Sequence, residues 1–342
     1  MDTAYVYDPI YLQHNLPSHP ENARRLKHIL STLETEGVSA RLGLLEPRPA
    51  TLEELQQVHT PAHIERVQHV AEGGGGHLDP DTYVSPHSFE AAVMAAGGLV
   101  RLVEAVIAGQ AANGFALVRP PGHHATATRA MGFCLFNNVA VATRAALAEE
   151  RVKRILIADF DVHHGNGTQD AFADDPSVFY FSTHQYPYYP GTGHWSETGT
   201  GAGAGTVLNV PLPAGVGDSG YAQIFNELAW PLAGRFRPDI ILVSAGYDAH
   251  WSDPLAQMNL SLSGYAWLQQ ELVRMAEQLC NGRIVFTLEG GYQLDVLAFG
   301  VLNGFYAMKG EDTTIDPVGP CPRSERSIES LIARLKEVHG LN

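Results

Sequence analysis

The chain has 342 residues, a formal net charge of −15 and a mean hydropathy of −0.09. The acidic balance argues against a nucleic-acid-binding surface, which needs clustered Lys and Arg. No apolar run approaches the ~20 residues of a membrane-spanning helix, so the composition is typical of a globular protein with one large core or two smaller ones.

The cysteines and the first residues bear on the cellular compartment. Cys134, Cys280 and Cys321 are odd in number, widely spaced and without a C-x-x-C pair, which indicates reduced thiols. Residues 1–5 lack the basic start and apolar stretch of a secretory signal. We therefore expect a cytoplasmic protein without a membrane partner.

Short apolar segments alternate with longer helical patterns along the chain. The expected strands are residues 4–7, 114–118, 154–158, 178–182, 239–244 and 283–288. The expected helices are residues 22–36, 88–108, 137–150, 221–234, 263–279 and 294–308. Continuous apolar strands separated by helices predict an α/β domain with a central parallel sheet, helices on both faces and long loops after the strands.

The last part of the chain has a different character. Residues 311–323 carry acids, prolines and a glycine, which is typical of a segment on the surface. An amphipathic helix is expected at about residues 325–338. It is part of the same domain or a contact in a homo-oligomer.

Polar residues follow four of the expected strands, and the carboxyl ends of parallel strands meet at one edge of a sheet. The four runs are RPPGHHA (119–125), DFDVHHGNG (159–167), AGYDAHWSDP (245–254) and EGGY (289–292). One such run would be weak evidence of a site, because His, Asp or Tyr in a turn is common. Four runs at one edge predict an active site.

The run after the third strand indicates a metal site. Asp159, Asp161 and His163 alternate along an extended strand, so their side chains share one face. Burying them together without a cation would be costly, and Asp-x-His is a natural ligand pair for zinc. A third ligand should come from another strand end, where Asp253 is the best placed candidate and Asp248 is its rival. Three protein ligands leave one position for water, whose pKa then falls to about 7.

Two further motifs could act on that water. In the pair His123 and His124, one imidazole could take a proton from the water, with Asp159 or Asn166 fixing the ring through its second nitrogen. Tyr292 follows two glycines and could donate its phenol proton to a developing oxyanion.

The complete set of motifs resembles the histone deacetylase superfamily, which includes bacterial amidohydrolases. The matching motifs are RPPGHHA (119–125), GFCLFNN (132–138), DFDVHHGNGTQD (159–170), GYDAHWSDPL (246–255) and LEGGY (288–292). They follow the family's order, and the resemblance runs from about residue 5 to 308. Asn166 in HHGNG and the early His19-Pro20-Glu21 resemble the class II branch.

The resemblance implies an arginase-like α/β fold and zinc-dependent amide hydrolysis by residues 1–310. It implies zinc on Asp161, His163 and Asp253, which decides against Asp248. It also implies that His124 is the general base and later the general acid, and that Asn166 supports it. His123, paired with Asp159, would have an electrostatic role, and Tyr292 would donate a hydrogen bond to the oxyanion.

The family also has a narrow channel for an acyl-lysine side chain. By resemblance, Phe133 and Tyr189 form its walls, although the family more often has phenylalanine at the second position. Leu255 lines its lower part, and Gly132 offers a carbonyl to the substrate amide. Arg25 and Gly290 lie near an internal acetate exit. A rim aspartate, either Asp79 or Asp81, grips the substrate backbone.

The resemblance further implies structural K⁺ ions bound by carbonyl oxygens. One site involves Asp159, Asp161, His163 and Ser182. A second lies near Phe172, Asp175 and Val178.

The leading hypothesis is a zinc-dependent deacylase acting on acyl-lysine in proteins or peptides. The alternative is a deacetylase of acetylpolyamines or other small acetylated amines, disfavoured because residues 76–114 are too short for the dimer-forming insertion of such enzymes. A non-hydrolytic acyl-ligand-binding protein conflicts with the intact Tyr292. A two-manganese ureohydrolase would need more carboxylates.

Overall fold

The computed structural model describes residues 2–341. Its centre is a parallel eight-stranded sheet in the order β2-β1-β5-β10-β9-β6-β7-β8. The strands of this sheet are β1 Ala4–Val6, β2 Gly43–Leu45, β5 Gly114–Ala116, β6 Ile155–Asp159, β7 Val178–Gln185, β8 Val207–Leu212, β9 Ile240–Ala245 and β10 Ile284–Leu288. A separate antiparallel pair consists of β3 Gly76–His77 and β4 Tyr83–Val84.

Helices cover the sheet. They are α1 Arg24–Thr35, α2 Leu52–Gln56, α3 Pro61–Glu72, α4 Ser88–Ile107, α5 Asn138–Leu147, α6 Asn166–Phe172, α7 Asp218–Ile224, α8 Trp230–Phe236, α9 Leu262–Cys280, α10 Leu294–Met308 and α11 Glu329–His339. One group pairs α4 with α5, and another joins α1, α10 and α9. Both groups contact the central strands, which are buried along their whole length, as expected for a parallel sheet covered on both faces.

The structure confirms the α/β architecture and each of the expected strands to within a few residues. The strand β8 was not expected. It contains Pro211, which lacks an amide donor, and it follows a glycine-rich loop. Its position at the end of the sheet tolerates that proline. The helix expected at 221–234 is instead α7, a π-helical turn Phe225–Ala229 and α8.

The C-terminal segment packs on the body of the protein. Asn303 exchanges two hydrogen bonds with the backbone of Ile315, and Glu325 accepts the amide and hydroxyl of Ser219. Ile332 and Leu335 of α11 are buried in the core. The helix begins at residue 329 rather than 325. An oligomer contact by this segment stays a prediction, and residue 342 lies outside the described residues.

The strands β5, β10, β9 and β6 are neighbours in the sheet in that order, so their carboxyl ends lie side by side. This arrangement brings the four polar runs of the sequence to one edge. Among residues 2–341, no helix combines the length and apolarity that crossing a bilayer requires.

Candidate active site

A cavity of about 260 Å³ opens at this edge of the sheet. Ten of its lining residues are ones that the sequence singles out for catalysis, metal binding or the channel: His123, His124, Gly132, Phe133, Asp161, His163, Tyr189, Leu255, Gly290 and Tyr292. Asp81, Pro121 and Tyr188 complete the lining. Residues up to 211 positions apart in the chain therefore meet around one space.

Asp161 and His163 line the base of the cavity, and with the buried Asp248 behind them each places one ligand atom within 4.8 Å of the others. The His163 Nδ1 atom lies 3.1 Å from Asp161 Oδ1 and 3.3 Å from Asp248 Oδ2. Within residues 2–341, Asp248 Oδ2 is buried and lacks a partner with hydrogen-bond geometry. A buried, unpartnered carboxylate oxygen beside an imidazole and a second carboxylate fits a bound cation.

The electrostatics of this group support the same fit. Burial lowers the pKa of His163, but its hydrogen bond to Asp161 and the charge of the nearby Asp248 outweigh burial and raise the pKa to about 10. Burial opposes ionisation of Asp161, yet His123 and His163 hold its pKa well below the ordinary value. Without a metal, the charged imidazole therefore offsets part of the carboxylate charge, and it has to lose its Nδ1 proton before that atom can bind a cation.

Asp253 is near this group but is not a member of it. Its Oδ2 atom accepts the amides of Tyr292 and Gln293 at 2.7 and 3.2 Å, and its Oδ1 atom accepts the amide of Leu255 at 2.9 Å. Burial and the neighbouring Asp248 raise its pKa to about 7. The choice between Asp253 and Asp248 as third ligand, which the sequence opened, stays a matter of prediction.

His123 is paired with Asp159, as the sequence predicts. The Nδ1 atom of His123 lies 3.0 Å from Asp159 Oδ2, which also accepts the hydroxyl of Tyr180 at 3.0 Å. Burial lowers the pKa of His123, but nearby carboxylates, with Asp159 first, outweigh it and raise the pKa to about 10. Tyr180 was not singled out, because a tyrosine inside an apolar strand has no sequence signal of function.

His124 has a different environment from its neighbour. Its Nδ1 atom lies 2.9 Å from Asn166 Oδ1, an oxygen that can only accept, so Nδ1 carries the proton. Burial, followed by the charges of His123 and His163, lowers its pKa well below the ordinary value. The neutral ring therefore presents an unprotonated Nε2 atom, which is the form a general base requires.

The turn that carries Tyr292 is fixed from two sides. The amide of Gly290 donates to Asp161 Oδ2 at 2.8 Å. The buried guanidinium of Arg25 donates to the carbonyls of Glu289 and Gly291 at 2.5 and 2.8 Å, and it lies 5.2 Å from the Tyr292 ring centroid. A side chain at Gly290 would collide with Asp248, so this position needs glycine.

Glu289 was missed as a site residue. Its Oε2 atom accepts the amides of Gly122 and His123 at 2.7 and 3.2 Å, and its Oε1 atom accepts the Ser244 hydroxyl at 3.1 Å. It thereby fixes the turn that carries the two histidines. The motif LEGGY contains this residue, but the motif alone does not reveal which backbone amides its carboxylate meets.

Aromatic rings form the upper part of the cavity. Phe133 and Tyr292 meet edge to face at 5.9 Å, and Tyr189 meets His124 edge to face at 5.2 Å. Tyr188 was not predicted. It stacks near His163 at 5.8 Å and donates its hydroxyl to the Leu255 carbonyl at 2.9 Å.

Gly132 adopts φ +56°, and a Cβ atom there would lie 2.3 Å from the His124 ring. Only glycine allows this close approach of the backbone to the imidazole. Its carbonyl accepts the Cys134 thiol at 3.3 Å.

Of the two candidate rim aspartates, Asp81 lines the cavity. The Asp79 Oδ1 atom instead accepts the amides of Asp81 and Thr82 at 3.1 and 2.7 Å. Asp79 therefore shapes the turn, and Asp81 is the residue available at the mouth.

The residues proposed around K⁺ fall into two groups in the structure. Asp159 and Ser182 are direct partners in the β6–β7 ladder, next to Asp161 and His163. Phe172, Asp175 and Val178 are joined by successive backbone hydrogen bonds of 3.0 and 3.3 Å in the turn before β7. Binding of K⁺ at either place stays a prediction.

Comparisons with known proteins agree with this fold and site. Residues 19–307 match the family model of the histone deacetylase domain. Histone deacetylase 14, chloroplastic, of Arabidopsis thaliana is 42% identical, with 96% of this chain and 83% of the relative covered. A "Probable deacetylase" of Archaeoglobus fulgidus is also 42% identical, covering 91% and 88%. The crystal structure of the HDA15 HD domain superimposes with a TM-score of 0.90 at 38% identity, covering 99% of this chain and 94% of that chain.

The chain belongs to the histone deacetylase family. The parallel sheet and the structural similarity confirm the arginase/deacetylase-like fold. Membership of the family supports hydrolytic deacetylase activity on acetylated substrates, and the family generally uses zinc.

Proposed function

We propose that this protein is a zinc-dependent hydrolase that removes acetyl or other acyl groups from lysine side chains of proteins or peptides. The observation that carries this proposal is the base of the cavity. There, a buried carboxylate oxygen without a hydrogen-bond partner lies beside His163, and the neutral His124 faces the same space. This combination suits a metal-assisted hydrolysis with a nearby base.

Asp161 and His163 would hold the ion with Asp253, the third ligand that the family resemblance implies; Asp248 is the rival that the donor distances favour. When bound, zinc supplies Lewis-acid polarisation of the amide carbonyl and lowers the pKa of water to about 7. The donor set of carboxylates and one imidazole is one that zinc accepts.

The protein's own residues supply the proton transfers. The Nε2 atom of His124 takes the proton of the attacking water and later delivers it to the leaving amine. When the C–N bond breaks, the nitrogen leaves as an amine and the acyl group as a carboxylic acid, whose proton then passes to the amine to give a carboxylate and an ammonium group. The Tyr292 phenol donates a hydrogen bond to the oxyanion that develops between these steps.

The shape and charge of the cavity favour acyl-lysine over an acetylpolyamine. Phe133, Tyr189 and Leu255 surround a passage suited to an apolar methylene chain. Among the described residues that line the cavity, the acidic ones are Asp81 at the mouth and Asp161 at the base. A polyamine carries further ammonium groups along its chain, and this lining offers them one carboxylate outside the base. A peptide backbone amide is the simpler partner for Asp81.

Structural K⁺ at the two carbonyl clusters, a cytoplasmic location and an oligomer contact through the C-terminal segment are also proposals. K⁺ binding is checked by comparing the thermal unfolding midpoint in KCl with that in tetramethylammonium chloride. The location is checked by cell fractionation, and the oligomer contact by the sedimentation of the protein in solution.

The experiment that tests the function is a turnover panel with metal-replete protein. An acetyl-lysine peptide and acetylputrescine are compared, each with and without a chelator. We expect acetate release from the peptide that the chelator abolishes and added zinc restores. Preferential turnover of acetylputrescine would favour the alternative substrate class. Binding of the peptide with no acetate released would instead indicate a ligand-binding protein.

A further inference from the structure

The mouth of the cavity contains a small hydrogen-bond network centred on Thr82. The Thr82 side chain is fully buried, although it lies next to the partly exposed Asp81. Its hydroxyl donates to Asp81 Oδ1 at 3.3 Å and accepts the amide of Phe133 at 3.1 Å. One hydroxyl group therefore joins the rim carboxylate to the channel wall.

His19 binds the backbone of the same aspartate, whereas Thr82 binds its side chain. The His19 Nδ1 atom lies 3.1 Å from the amide nitrogen and 3.2 Å from the carbonyl oxygen of Glu21. Its Nε2 atom faces the carbonyl oxygen of Asp81, which can only accept, so Nε2 carries a proton. That Nε2–H donates to the carbonyl of Asp81 at 3.1 Å. The His19 ring also meets Phe133 edge to face at 4.5 Å.

The wall residue needs such support. Phe133 has φ +69°, in the left-handed region that a bulky residue adopts only at an energetic cost. A conformation of this kind persists when surrounding contacts determine it. The hydrogen bond from the Phe133 amide to Thr82 is one such contact, and the packing of His19 on the ring is another.

We propose that Thr82 and His19 are positioning residues that orient the Asp81 carboxylate beside the channel wall and so set the affinity for the peptide backbone around the acyl-lysine. The proposal rests on the proposed function, because it assigns Asp81 to the backbone of a peptide substrate. Neither residue lines the cavity, so each acts on the substrate backbone through Asp81, which it holds beside Phe133.

The test compares two substrates and matched variants. The substrates are an acetyl-lysine peptide and N-acetylbutylamine, which has the side-chain amide but no peptide backbone. Thr82→Val removes the hydroxyl at nearly constant volume, Thr82→Ser retains it, and His19→Phe retains the ring while removing both hydrogen bonds.

We expect Thr82→Val to raise KM for the peptide about tenfold, the effect of losing one or two orienting hydrogen bonds, with kcat within about twofold of the wild type. His19→Phe should raise the same KM about fivefold, and Thr82→Ser should stay close to the wild type. The KM for N-acetylbutylamine should change by less than about threefold in each variant.

A double-mutant cycle supplies the stricter measurement. If Thr82 acts through Asp81, then Thr82→Val should add little to the peptide KM once Asp81→Asn is present. Additive effects, equal changes for both substrates, or a peptide KM unaffected by Thr82→Val would each overturn the proposal. A wild-type protein that turns over neither substrate would instead overturn the proposed function, which separates the two failures.

Discussion

Two buried clusters of charge lie close to the cavity, and they are built in opposite ways. In the first, Glu21 is fully buried between two buried guanidiniums. Its Oε1 atom accepts from Arg25 at 3.0 Å and from Arg119, and its Oε2 atom accepts from Arg119 at 2.7 Å. The second is the group of Asp161, His163 and Asp248, in which one carboxylate oxygen is buried without a hydrogen-bond partner.

The difference separates structural from functional charge. Burial opposes ionisation of Glu21, but the two arginines, with Arg119 first, keep its pKa well below the ordinary value. The remaining guanidinium donors reach carbonyls, such as Tyr11 for Arg119 and Gly291 for Arg25. In the first cluster, one carboxylate is therefore held by two guanidiniums of the protein itself. In the second, two carboxylates share one imidazole, which can give up its proton when a cation binds.

The largest expected effect comes from removing a ligand in the second cluster. Asp161→Asn should abolish tight zinc binding and reduce acetyl-lysine turnover to background, because one of the carboxylates is lost. Zinc per protein is measured by atomic absorption after gel filtration. In parallel, added zinc should raise the thermal midpoint of the wild type but not of the variant.

Asp253→Asn and Asp248→Asn are the matched pair that identifies the third ligand. The variant with less than a tenth of the wild-type zinc affinity marks the ligand. Full zinc retention by Asp161→Asn itself would contradict the assignment of this cluster as the metal site.

A change in the cluster around Glu21 should alter stability rather than metal content. Glu21→Gln removes the carboxylate and leaves two buried guanidiniums facing each other. We expect the free energy of unfolding to fall by about 3–5 kcal/mol, as measured by urea denaturation. Zinc stoichiometry of the remaining folded protein should be unchanged.

The lowered pKa of Glu21 also predicts how the stability of the fold changes at acid pH. A folded-state pKa below the unfolded value of about 4.3 means that Glu21 stabilises the fold above that pH and loses this effect as the pH falls toward the folded pKa. Glu21→Gln should therefore narrow the stability difference between pH 7 and pH 3. An unchanged difference would show that other carboxylates dominate acid unfolding.

Much of the fold could be predicted from the sequence because its strands are continuous apolar runs. β6 and β9 are buried at every position, and this is the pattern that identifies strands inside a parallel sheet. The edge strand β2 has only three residues, and the apolar run of β8 is interrupted by Asn209 and Pro211, although each of its residues is buried. Their positions depend on pairing with neighbours that are distant in the chain.

The site could be predicted to the level of its residues but not of its contacts. Strand alternation and the order of motifs lead to the residues that line the cavity. They do not reveal that Glu289 binds the amides of the histidine turn, or that Thr82 joins Asp81 to Phe133. Such contacts are made by loops whose paths depend on the whole fold, so a linear pattern cannot specify them.

In the proposed mechanism, Tyr292 differs from the charged groups because it would contribute only during the reaction. Tyr292→Phe removes a donor without changing the ring that packs against Phe133. We expect kcat to fall about 10²–10³-fold, or about 3–4 kcal/mol of barrier, with zinc content and stability nearly unchanged. Steady-state kinetics with the acetyl-lysine peptide provide the measurement. Hydrolysis at the wild-type rate would remove Tyr292 from the mechanism.

The smallest effect is expected where charges are paired in contact with water. A guanidinium nitrogen of Arg41 lies 2.7 Å from Glu311 Oε1, and the two side chains are 44% and 30% exposed. This pair connects the body of the protein to the C-terminal segment. Water and salt screen such a pair, so Arg41→Ala should reduce the free energy of unfolding by at most about 1 kcal/mol, and by less in 1 M NaCl. The cluster around Glu21, which is shielded from solvent, should be far less sensitive to the same salt. If Arg41→Ala lowered the free energy of unfolding by more than about 2 kcal/mol, attachment of the C-terminal segment would depend on this pair. Solvent exposure alone would then fail to distinguish the weak charge pairs from the strong ones.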